Sequence, residues 1–339
     1  MRRGPSLRRL DADAAARAWR AFKISCPSLT SREDASGLTR PEDWREVCAA
    51  EPQDIARFIR RHFEAVQIGD GAAFTTGYYE PEIPGSRTHH SGYGVPVYRR
   101  PPDLLDANPA TGERRRGRLD EQGNYILYHD RAAIEDGALA GRGLELAWAA
   151  DPVDLFFLQI QGSGRLRLPD GSVMRIGYAA QNGRDYVAIG RLLRERGIIA
   201  LPISMQRIRE WIQANPDAGR ALMRENPSYV FFQELTGPGP LGALGRPVTP
   251  LATVAADPRF VPLGAPVLLT GMDNPRADGL WVAQDTGGAI RGANRFDTFW
   301  GAGEEAATIA GSMASRGRAY LLLPRGALRR IRARAPPQR

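Results

Sequence analysis

The sequence predicts a mainly β protein with a helical N-terminal region, and three observations support this fold class. In the first 70 residues, apolar side chains such as Leu10, Ala14, Ala18 and Phe22 recur at helical spacing. From Phe74 onward the pattern changes to short apolar runs separated by Gly, Pro or Asp. The 37 Gly and 26 Pro are spread along the chain, which favours many short strands and turns over a long disordered segment.

The helices of this prediction have ordinary sequence signals. Asp11 and Asp13 are typical of a helix start, and a second amphipathic segment runs from Ile55 through Phe63 to Val66. Later helices are predicted at Tyr186–Arg196, Met205–Ala214, Asp217–Arg224 and Glu304–Ser315.

The strands are predicted from short runs rich in aliphatic and aromatic residues. The segment Glu80–Gly85 contains two prolines and is predicted as a turn. The predicted strands are Phe74–Tyr79, Val95–Tyr98, Tyr125–Tyr128, Leu144–Trp148, Phe156–Ile160, Arg165–Leu168, Val173–Ile176, Tyr229–Phe232, Leu251–Ala255, Pro266–Leu269, Leu280–Ala283 and Tyr320–Leu323.

Length and charge narrow the class of protein. A chain of 339 residues suits one large domain or two ordinary ones. The net charge of +8 comes almost entirely from arginine, with clusters at Arg114–Arg116 and in a basic tail, Arg325–Arg339, that is predicted to fray. These residues are interleaved with acids and lack the aromatics of a nucleic-acid-binding motif, so no nucleic-acid partner is expected. A net positive charge remains compatible with an acidic partner, such as the carboxylate-bearing peptides of a cell wall.

The cysteines and the N-terminus leave the compartment open. Cys26 and Cys48 can form a disulfide in an exported protein or stay as buried thiols in the cytosol. No run approaches the roughly 18 apolar residues of a membrane span. The basic segment Met1–Leu10 lacks the apolar run of a signal peptide.

The segment that carries the most chemical information contains two aspartates. Asp285 follows a predicted strand and enters a loop with three glycines, and Asp297 comes twelve residues later. Glycines such as Gly287 and Gly288 allow a backbone to approach a ligand closely. Two carboxyls brought together in this way are what cleavage of a glycosidic bond requires. Spacing alone leaves other readings open: an Asx turn at Asp285, and a helix cap or an ion pair with Arg295 at Asp297.

Longer motifs give a resemblance to known families. The runs Val254–Leu269, Asp285–Gly292 and Arg295–Asp297 resemble the 3D domain, which is named for three aspartates, here Asp257, Asp285 and Asp297. The upstream motifs that resemble the membrane-bound lytic murein transglycosylase A family are Thr76–Pro81, Pro96–Tyr98, Phe156–Arg165, Tyr178–Gly183 and Asn226–Phe232. The resemblance extends from about Phe74 to Pro324.

This resemblance implies a specific architecture. It predicts a discontinuous double-psi β-barrel formed by residues 1–82 and 228–339, with the 3D domain at about 250–324. A second, smaller β-domain, residues 83–227, is expected to be inserted into it, with a groove for glycan between the two.

The resemblance also implies a reaction. It predicts a lytic transglycosylase that cleaves the β-1,4 bond between MurNAc and GlcNAc in peptidoglycan and forms 1,6-anhydro-MurNAc. Asp297 would act first as the acid and then as the base, and Asp285 would tune it. Asp257, followed by Pro258, is predicted to be a structural turn residue. No cofactor is expected, and no metal, because His89 and His90 lack a third ligand at suitable spacing.

Several further residues are predicted to bind the glycan. Gln159, Gln161 and Ser163 could hydrogen-bond sugar hydroxyls, or belong to a strand and a tight turn. Tyr78 and Tyr79 could stack on sugars, or be core residues. The substrate-binding residues predicted are Tyr79, Gln159, Gln161, Gly162, Ser163, Asn182, Gly287 and Gly288.

Two alternative functions remain open at this level. One is a hydrolase on the same barrel, with Asp285 activating water; the other is a non-catalytic module that binds wall glycan. The expected partners are peptidoglycan strands and possible other cell-wall enzymes, with a monomer as the default. A periplasmic location is expected. Cys26 follows Lys23 and several arginines, which does not resemble a lipidation site, so membrane attachment is not carried over.

Overall fold

The computed structural model describes residues 1–7, 10–200, 203–237 and 239–334. The chain divides into two compact units. Unit 1 combines Met1–Tyr79 with Leu241–Arg339, and unit 2 is the continuous segment Glu80–Pro240. The sequence-based boundaries at 82/83 and 227/228 place the return to unit 1 earlier than the structure does, because strand Val230–Glu234 pairs with Val173–Gln181 of unit 2.

The helices begin with the long N-terminal helix that the sequence predicts. A π-helical turn, Ile134–Ala138, continues the fourth helix, and a 3-10 turn occupies Pro275–Ala277. The helices are α1 (Ala12–Leu29), α2 (Pro41–Ala49), α3 (Ile55–His62), α4 (Arg131–Ala133), α5 (Pro152–Gln161), α6 (Ile189–Glu195), α7 (Met205–Ala214), α8 (Pro216–Arg224), α9 (Glu304–Ser312) and α10 (Ala327–Arg334).

The strands are β1 (Arg2–Arg3), β2 (Phe63–Gln67), β3 (Ala72–Glu80), β4 (Glu82–Ser86), β5 (Val95–Tyr98), β6 (Gly117–Leu119), β7 (Tyr125–Leu127), β8 (Glu145–Ala149), β9 (Ser163–Arg167), β10 (Val173–Gln181), β11 (Val230–Glu234), β12 (Thr253–Ala256), β13 (Pro266–Thr270), β14 (Gly279–Asp285), β15 (Arg295–Ala302) and β16 (Ala314–Pro324).

The sheet of unit 1 closes on itself. Its order is β1-β2-β16-β13-β14-β12-β15-β3, and β3 also pairs with β16. Six strands, from β16 round to β3, therefore form a closed ring, which removes their free edges. Within the ring, β12 pairs in parallel with β14 and antiparallel with β15. Strand β12 thus lies between the two strands that carry Asp285 and Asp297.

The core of unit 1 joins this ring to the N-terminal helices. Val254, Val282 and Phe296 are fully buried in it. Helix α1 packs on β14 with a buried face that includes Ala18 and Phe22. Its start is capped by the Asp11 carboxylate, which accepts a hydrogen bond from the Ala14 amide.

A disulfide between Cys26 and Cys48 joins helix α1 to helix α2, with Cα atoms 5.5 Å apart. The open question from the sequence is therefore answered in favour of the bridge. The linked helices cover the ring, since Phe22 and Trp44 are both nearly inaccessible to solvent.

Unit 2 contains a mixed sheet with the order β11-β10-β9-β4-β8-β5, and the separate hairpin β6–β7. Strand β4 pairs in parallel with β9 and antiparallel with β8. Helix α5 packs against the sheet on one side and joins α6, α7 and α8 in a second apolar cluster through Phe156, Phe157 and Leu222.

One predicted strand is wrong. Phe156–Ile160 lies in helix α5, not in a strand. Asp151 caps the helix start, Pro152 occupies its first turn, and Gly162 ends it with a φ of 79°. The prediction failed because α5 buries Leu155–Leu158 almost all round, so its sequence shows a continuous apolar run that does not distinguish a buried strand from a buried helix.

Two boundaries also differ from the prediction. The helix expected to continue through Phe63 to Val66 ends at His62, and strand β2 begins at Phe63 because its backbone pairs with β16. The segment predicted as a turn at Glu80–Gly85 contains strand β4, in which Ile83 and Gly85 are buried.

At the C-terminus, Ala327–Arg334 of the basic tail form helix α10, and residues 335–339 lie outside the described residues. Across the part of the chain that the structure describes, no helix combines the length and the apolar character needed to cross a bilayer.

Candidate active site

Asp285 and Asp297 lie on either side of one small residue. Ala255 of β12 pairs with Asp285 of β14 and with Asp297 of β15. Residues paired across neighbouring strands face the same side of a sheet, so the three side chains form a row. Two strand spacings separate the Cα atoms of the two aspartates by about 10 Å. The methyl group of Ala255 fills little of the space between the two carboxyls.

A β-bulge directs Asp285 into this row. Val254 pairs with Ala283, but Ala255 pairs with Asp285, so Gln284 is the extra residue. Without the bulge, Asp285 would face the opposite side of the sheet.

The Gln284 side chain is buried and its amide is fully engaged. Its Nε2 donates to the Ala21 carbonyl at 3.0 Å and to Ser25 Oγ at 3.1 Å, both on helix α1. Its Oε1 accepts a hydrogen bond from the Thr253 hydroxyl at 2.5 Å. Helix α1 therefore holds the bulged residue, and the bulge positions Asp285.

The Asp285 carboxyl accepts three hydrogen bonds. The amides of Thr286 and Ala243 donate to Oδ1 at 2.8 and 3.0 Å, and the Tyr78 hydroxyl donates to Oδ2 at 3.1 Å. Burial raises the pKa of Asp285 to about 6, and the charge of Asp297 adds to the rise, whereas the three hydrogen bonds oppose it. Burial and both aspartates raise the pKa of Tyr78 well above its usual value, so this phenol stays protonated and donates.

Among the residues that the structure describes, the Asp297 carboxyl accepts one hydrogen bond, from the Thr76 hydroxyl to Oδ1 at 2.7 Å. Thr76 Oγ1 in turn accepts from Arg295 Nη2 at 2.8 Å, which orients the hydroxyl hydrogen toward Asp297. Burial raises the pKa of Asp297 to about 6, against the opposing effects of Thr76 and of the Arg295 charge.

The two carboxyls differ in their surroundings, although burial raises the pKa of both to about 6. Three donors hydrogen-bond the Asp285 carboxyl, whereas among the described residues the Asp297 carboxyl has the Thr76 hydroxyl and the nearby charge of Arg295. A recessed carboxyl whose pKa is raised to about 6 can hold a proton for general acid catalysis.

Asp257 has the structural role that the sequence predicts for it. It is fully buried, accepts two hydrogen bonds from the Arg259 guanidinium, and accepts the Gly292 amide at 2.8 Å. The Arg259 side chain and these amides hold the pKa of Asp257 well below its usual range. The bond to Gly292 fixes the end of the loop that joins the two other aspartates.

That loop carries Gly287 and Gly288. A Cβ atom at Gly287 would lie 2.9 Å from Ile290 Cγ1, so the loop's close fold depends on glycine there. Gly288 is exposed, and its carbonyl accepts a hydrogen bond from Arg291 Nε. The backbone of this loop is accessible beside Asp285.

Two residues predicted to bind glycan have their side-chain amides engaged inside unit 2. Gln159 is buried; its Oε1 accepts from Arg131 Nη1 at 2.7 Å and its Nε2 donates to the Val230 carbonyl. Asn182 is fully buried, and its Nδ2 donates to the carbonyls of His129 and Pro227. These hydrogen bonds give both side chains a structural role inside unit 2.

The other predicted binding residues are distributed over both units. Gln161 is the last residue of α5 and partly exposed, Gly162 ends that helix, and Ser163 is the buried first residue of β9. In unit 1, Tyr79 is partly buried and packs against the main core.

Sequence reasoning missed four residues that surround the carboxyls. Thr76 and Tyr78 stand in a motif that the sequence singled out, but nothing there indicated their contacts with the aspartates. Arg295 was considered only as an ion-pair partner. Ala243 lies in a tight turn at Leu241–Pro247 that had no functional signal. Among the described residues, no group of His, Cys, Asp and Glu side chains has an arrangement that could hold a metal ion.

A closed sheet that brings two recessed carboxyls together is typical of an enzyme that uses carboxylates for acid–base chemistry. Comparison with known proteins identifies the family. The family model described as "MltA specific insert domain" matches residues 74–233, and the "3D domain" model matches residues 252–323.

Individual relatives agree with these matches. A membrane-bound lytic murein transglycosylase A from Vibrio cholerae is 33% identical over 290 residues, which cover 81% of this chain and 72% of the relative. The crystal structure of a membrane-bound lytic murein transglycosylase from Agrobacterium tumefaciens has a TM-score of 0.84 and 32% identity, covering 96% of this chain and 98% of that one. The structure of Escherichia coli MltA with bound chitohexaose has a TM-score of 0.69 and 28% identity, covering 92% and 90%. The chain belongs to the membrane-bound lytic murein transglycosylase A family.

Proposed function

We propose that this protein cleaves the β-1,4 bond between MurNAc and GlcNAc in peptidoglycan and leaves a 1,6-anhydro-MurNAc end. Its family consists of lytic murein transglycosylases, which are peptidoglycan-cleaving lyases, and the chain is an enzyme of this type. The observation that supports the assignment of roles is the difference in hydrogen bonding: three donors to Asp285 favour its carboxylate, whereas Asp297 accepts from the Thr76 hydroxyl and is proposed to carry the proton.

In the first step, protonated Asp297 donates its proton to the oxygen of the scissile glycosidic bond. The C1–O bond breaks as that oxygen leaves as a hydroxyl on GlcNAc. Positive charge develops at C1 of MurNAc, and the Asp285 and Asp297 carboxylates lower its energy. The hydroxyl of Thr76, held by Arg295, keeps the Asp297 carboxyl oriented.

In the second step, the Asp297 carboxylate removes the proton from the C6 hydroxyl of the same MurNAc. The C6 oxygen then bonds to C1 and closes the anhydro ring. One carboxyl thus acts as acid and then as base, and the atoms balance without water. A hydrolase would instead need a base to activate water, and both oxygens of Asp285 already accept hydrogen bonds from Thr286, Ala243 and Tyr78.

The architecture proposed for this function is the double-psi form of the six-stranded ring, with unit 2 as the smaller inserted domain. The chitohexaose in the Escherichia coli relative supports the view that the natural ligand is a glycan strand. Within unit 1, the exposed backbone at Gly287 and Gly288 and the ring of Tyr79 are proposed to contact it; in unit 2, Gln161, Gly162 and Ser163 are proposed. The groove, a monomeric state and other cell-wall enzymes as partners stay predictions.

In this proposal the substrate is the cell wall, and the protein therefore acts in the periplasm. Relatives named as membrane-bound lytic murein transglycosylases support that location. The disulfide supports it as well, because such bridges persist in oxidising compartments.

Mass analysis of the products from purified peptidoglycan tests the reaction class. We expect muropeptides with anhydro ends, which are lighter by one water than the hydrolysis products. Products with reducing ends would instead show a hydrolase, and the absence of products from the folded protein would favour a module that only binds glycan. A heat-denatured sample is the matched control for spontaneous release.

Replacing Gln284 with leucine should displace the Asp285 carboxyl from the position in which it faces the same side of the sheet as Asp297. The variant loses the bonds from the side-chain amide to helix α1 and to Thr253, so the bulge has no anchor. We expect the free energy of unfolding to fall by about 1–3 kcal/mol and kcat to fall at least about tenfold, with KM little changed.

The control for this prediction is Asn226→Ala, which removes a buried amide of unit 2 that accepts the Val187 and Ser228 amides. It should cost similar stability and leave kcat unchanged at a temperature where both variants are folded. Equal losses of kcat in the two variants would mean that Gln284 acts on stability alone.

A further inference from the structure

Two arginines and a phenylalanine form a positively charged strip on the surface of unit 1. Arg295 of β15 and Arg316 of β16 both lie over the ring of Phe74, with guanidinium carbons 5.0 and 5.3 Å from its centroid. Phe74 belongs to β3 and pairs directly with Arg316. We call these three residues the cationic strip.

The cationic strip lies next to the acid. Arg295 is two residues before Asp297 on the same strand, so both face the same side of the sheet. Phe74 and Thr76 are related in the same way on β3. Arg295 donates a hydrogen bond to Thr76, and Thr76 donates one to Asp297. These bonds connect the cationic strip to the carboxyl that is proposed as the acid.

The two guanidinium groups lack a carboxylate partner within the described ranges. Arg295 donates to Thr76 and to the carbonyl of Phe296, and no ion pair includes it or Arg316. By contrast, Arg165 and Arg175 of unit 2 both pair with Glu80. Asp273 accepts the backbone amide of Arg316 and does not pair with its side chain in the structure. Arg316 is exposed, and stacking on Phe74 limits its conformations.

We propose that the cationic strip binds a carboxylate on the lactyl-peptide arm of the MurNAc residue next to the scissile bond. This inference rests on the proposed function. The sugar backbone of peptidoglycan is uncharged, and its carboxylates lie on that arm. A guanidinium presents a planar fork that matches a carboxylate, and stacking on an aromatic ring orients the fork before the ligand arrives. The strip thus selects strands that carry the arm over plain chains of N-acetylglucosamine.

Arg316 is the residue that tests the proposal. Arg295 also holds Thr76, so its removal would disturb the acid as well as the strip. The Arg316 side chain contacts Phe74 and has no bond to Thr76, Asp285 or Asp297 among those that the structure describes. Its role in binding can therefore be separated from proton transfer.

The experiment measures binding with the Asp297→Asn protein, which removes turnover, with and without Arg316→Gln. Three ligands are compared: peptidoglycan strands with intact stem peptides, strands whose peptides an amidase has removed, and chitohexaose. Loss of one charged contact should weaken binding of the peptide-bearing strands about tenfold at low salt. Chitohexaose, which has no carboxylate, should bind equally to both proteins, and Arg316→Lys should restore part of the loss.

The other two ligands identify which carboxylate is bound. A loss confined to peptide-bearing strands assigns the site to a carboxylate of the stem peptide, and a loss confined to the stripped strands assigns it to the lactyl carboxylate that the amidase has freed. A loss with both kinds of strand shows that the site accepts either carboxylate. Unchanged binding of both kinds of strand, or an equal loss for chitohexaose, would overturn the proposal. Arg276→Gln, which removes another exposed arginine of unit 1, is the control for net charge.

The same experiment keeps this proposal distinct from the proposed function. If the wild-type protein releases anhydro products and Arg316→Gln binds every ligand normally, only the proposal that the cationic strip binds a carboxylate is rejected. Wild-type protein that releases no anhydro products would reject the proposed function, whatever Arg316 does.

Discussion

The Asp297→Asn variant should lose about 10²- to 10⁴-fold in kcat, because an amide can neither donate the required proton nor take one back. Its fold should be unaffected, since an asparagine oxygen can still accept the Thr76 hydroxyl. Anhydro-muropeptide release at substrate saturation measures the loss. The exposed Asp185→Asn is the matched control and should leave kcat unchanged.

The same substitution should stabilise the protein at neutral pH. Burial raises the pKa of Asp297 to about 6 in the folded state, whereas it is about 3.9 in an unfolded chain. The folded state therefore binds the proton more tightly, and stability falls as pH rises from about 4 to about 6. Above about pH 6 the folded wild-type protein carries the full free-energy cost of a buried charge. The asparagine variant has no charge at this position and avoids that cost.

Because the Asp297 side chain is only partly buried, we expect a gain of about 1–2 kcal/mol at pH 7, and little change near pH 4. Chemical denaturation at the two pH values measures it. A variant that is less stable than wild type at pH 7 but equally stable at pH 4 would show that Asp297 is ionised and stabilised in the folded state. That result would remove it as the acid.

Removing the disulfide should have the largest effect on stability. The bridge closes a loop with a sequence separation of 22 residues between helices α1 and α2, so the double variant Cys26→Ala, Cys48→Ala should lose about 3 kcal/mol of unfolding free energy. Denaturant titration with and without a reducing agent measures the change.

In this experiment, wild type should weaken under reduction, and the double variant should not respond to the reductant. If reduction leaves the wild type unchanged, the bridge does not contribute to stability. Because Ser25 and Ala21 of the same helix hold Gln284, catalysis should also become more sensitive to temperature once the bridge is removed.

Most of the secondary structure could be predicted because the signals for it are local. Short apolar runs predicted strands such as Val95–Tyr98 and Pro266–Leu269, and helical spacing predicted α1 and α7. The prediction failed at α5, where burial on nearly every side removed the periodicity that distinguishes a helix. It also failed at β4, which forms only because two distant strands pair with it.

The sequence by itself determined the family, the two carboxylates and the glycines of the loop that joins them, since these belong to continuous motifs. Only the tertiary structure decided how the carboxylates differ. Thr76 reaches Asp297 across 221 residues of sequence, and Tyr78 and Ala243 reach Asp285 across 207 and 42 residues. The bulge at Gln284, which selects the face that Asp285 occupies, depends on a helix 259 residues away. Protonation depends on burial and on the number of donors, and both arise only when the ring of strands closes.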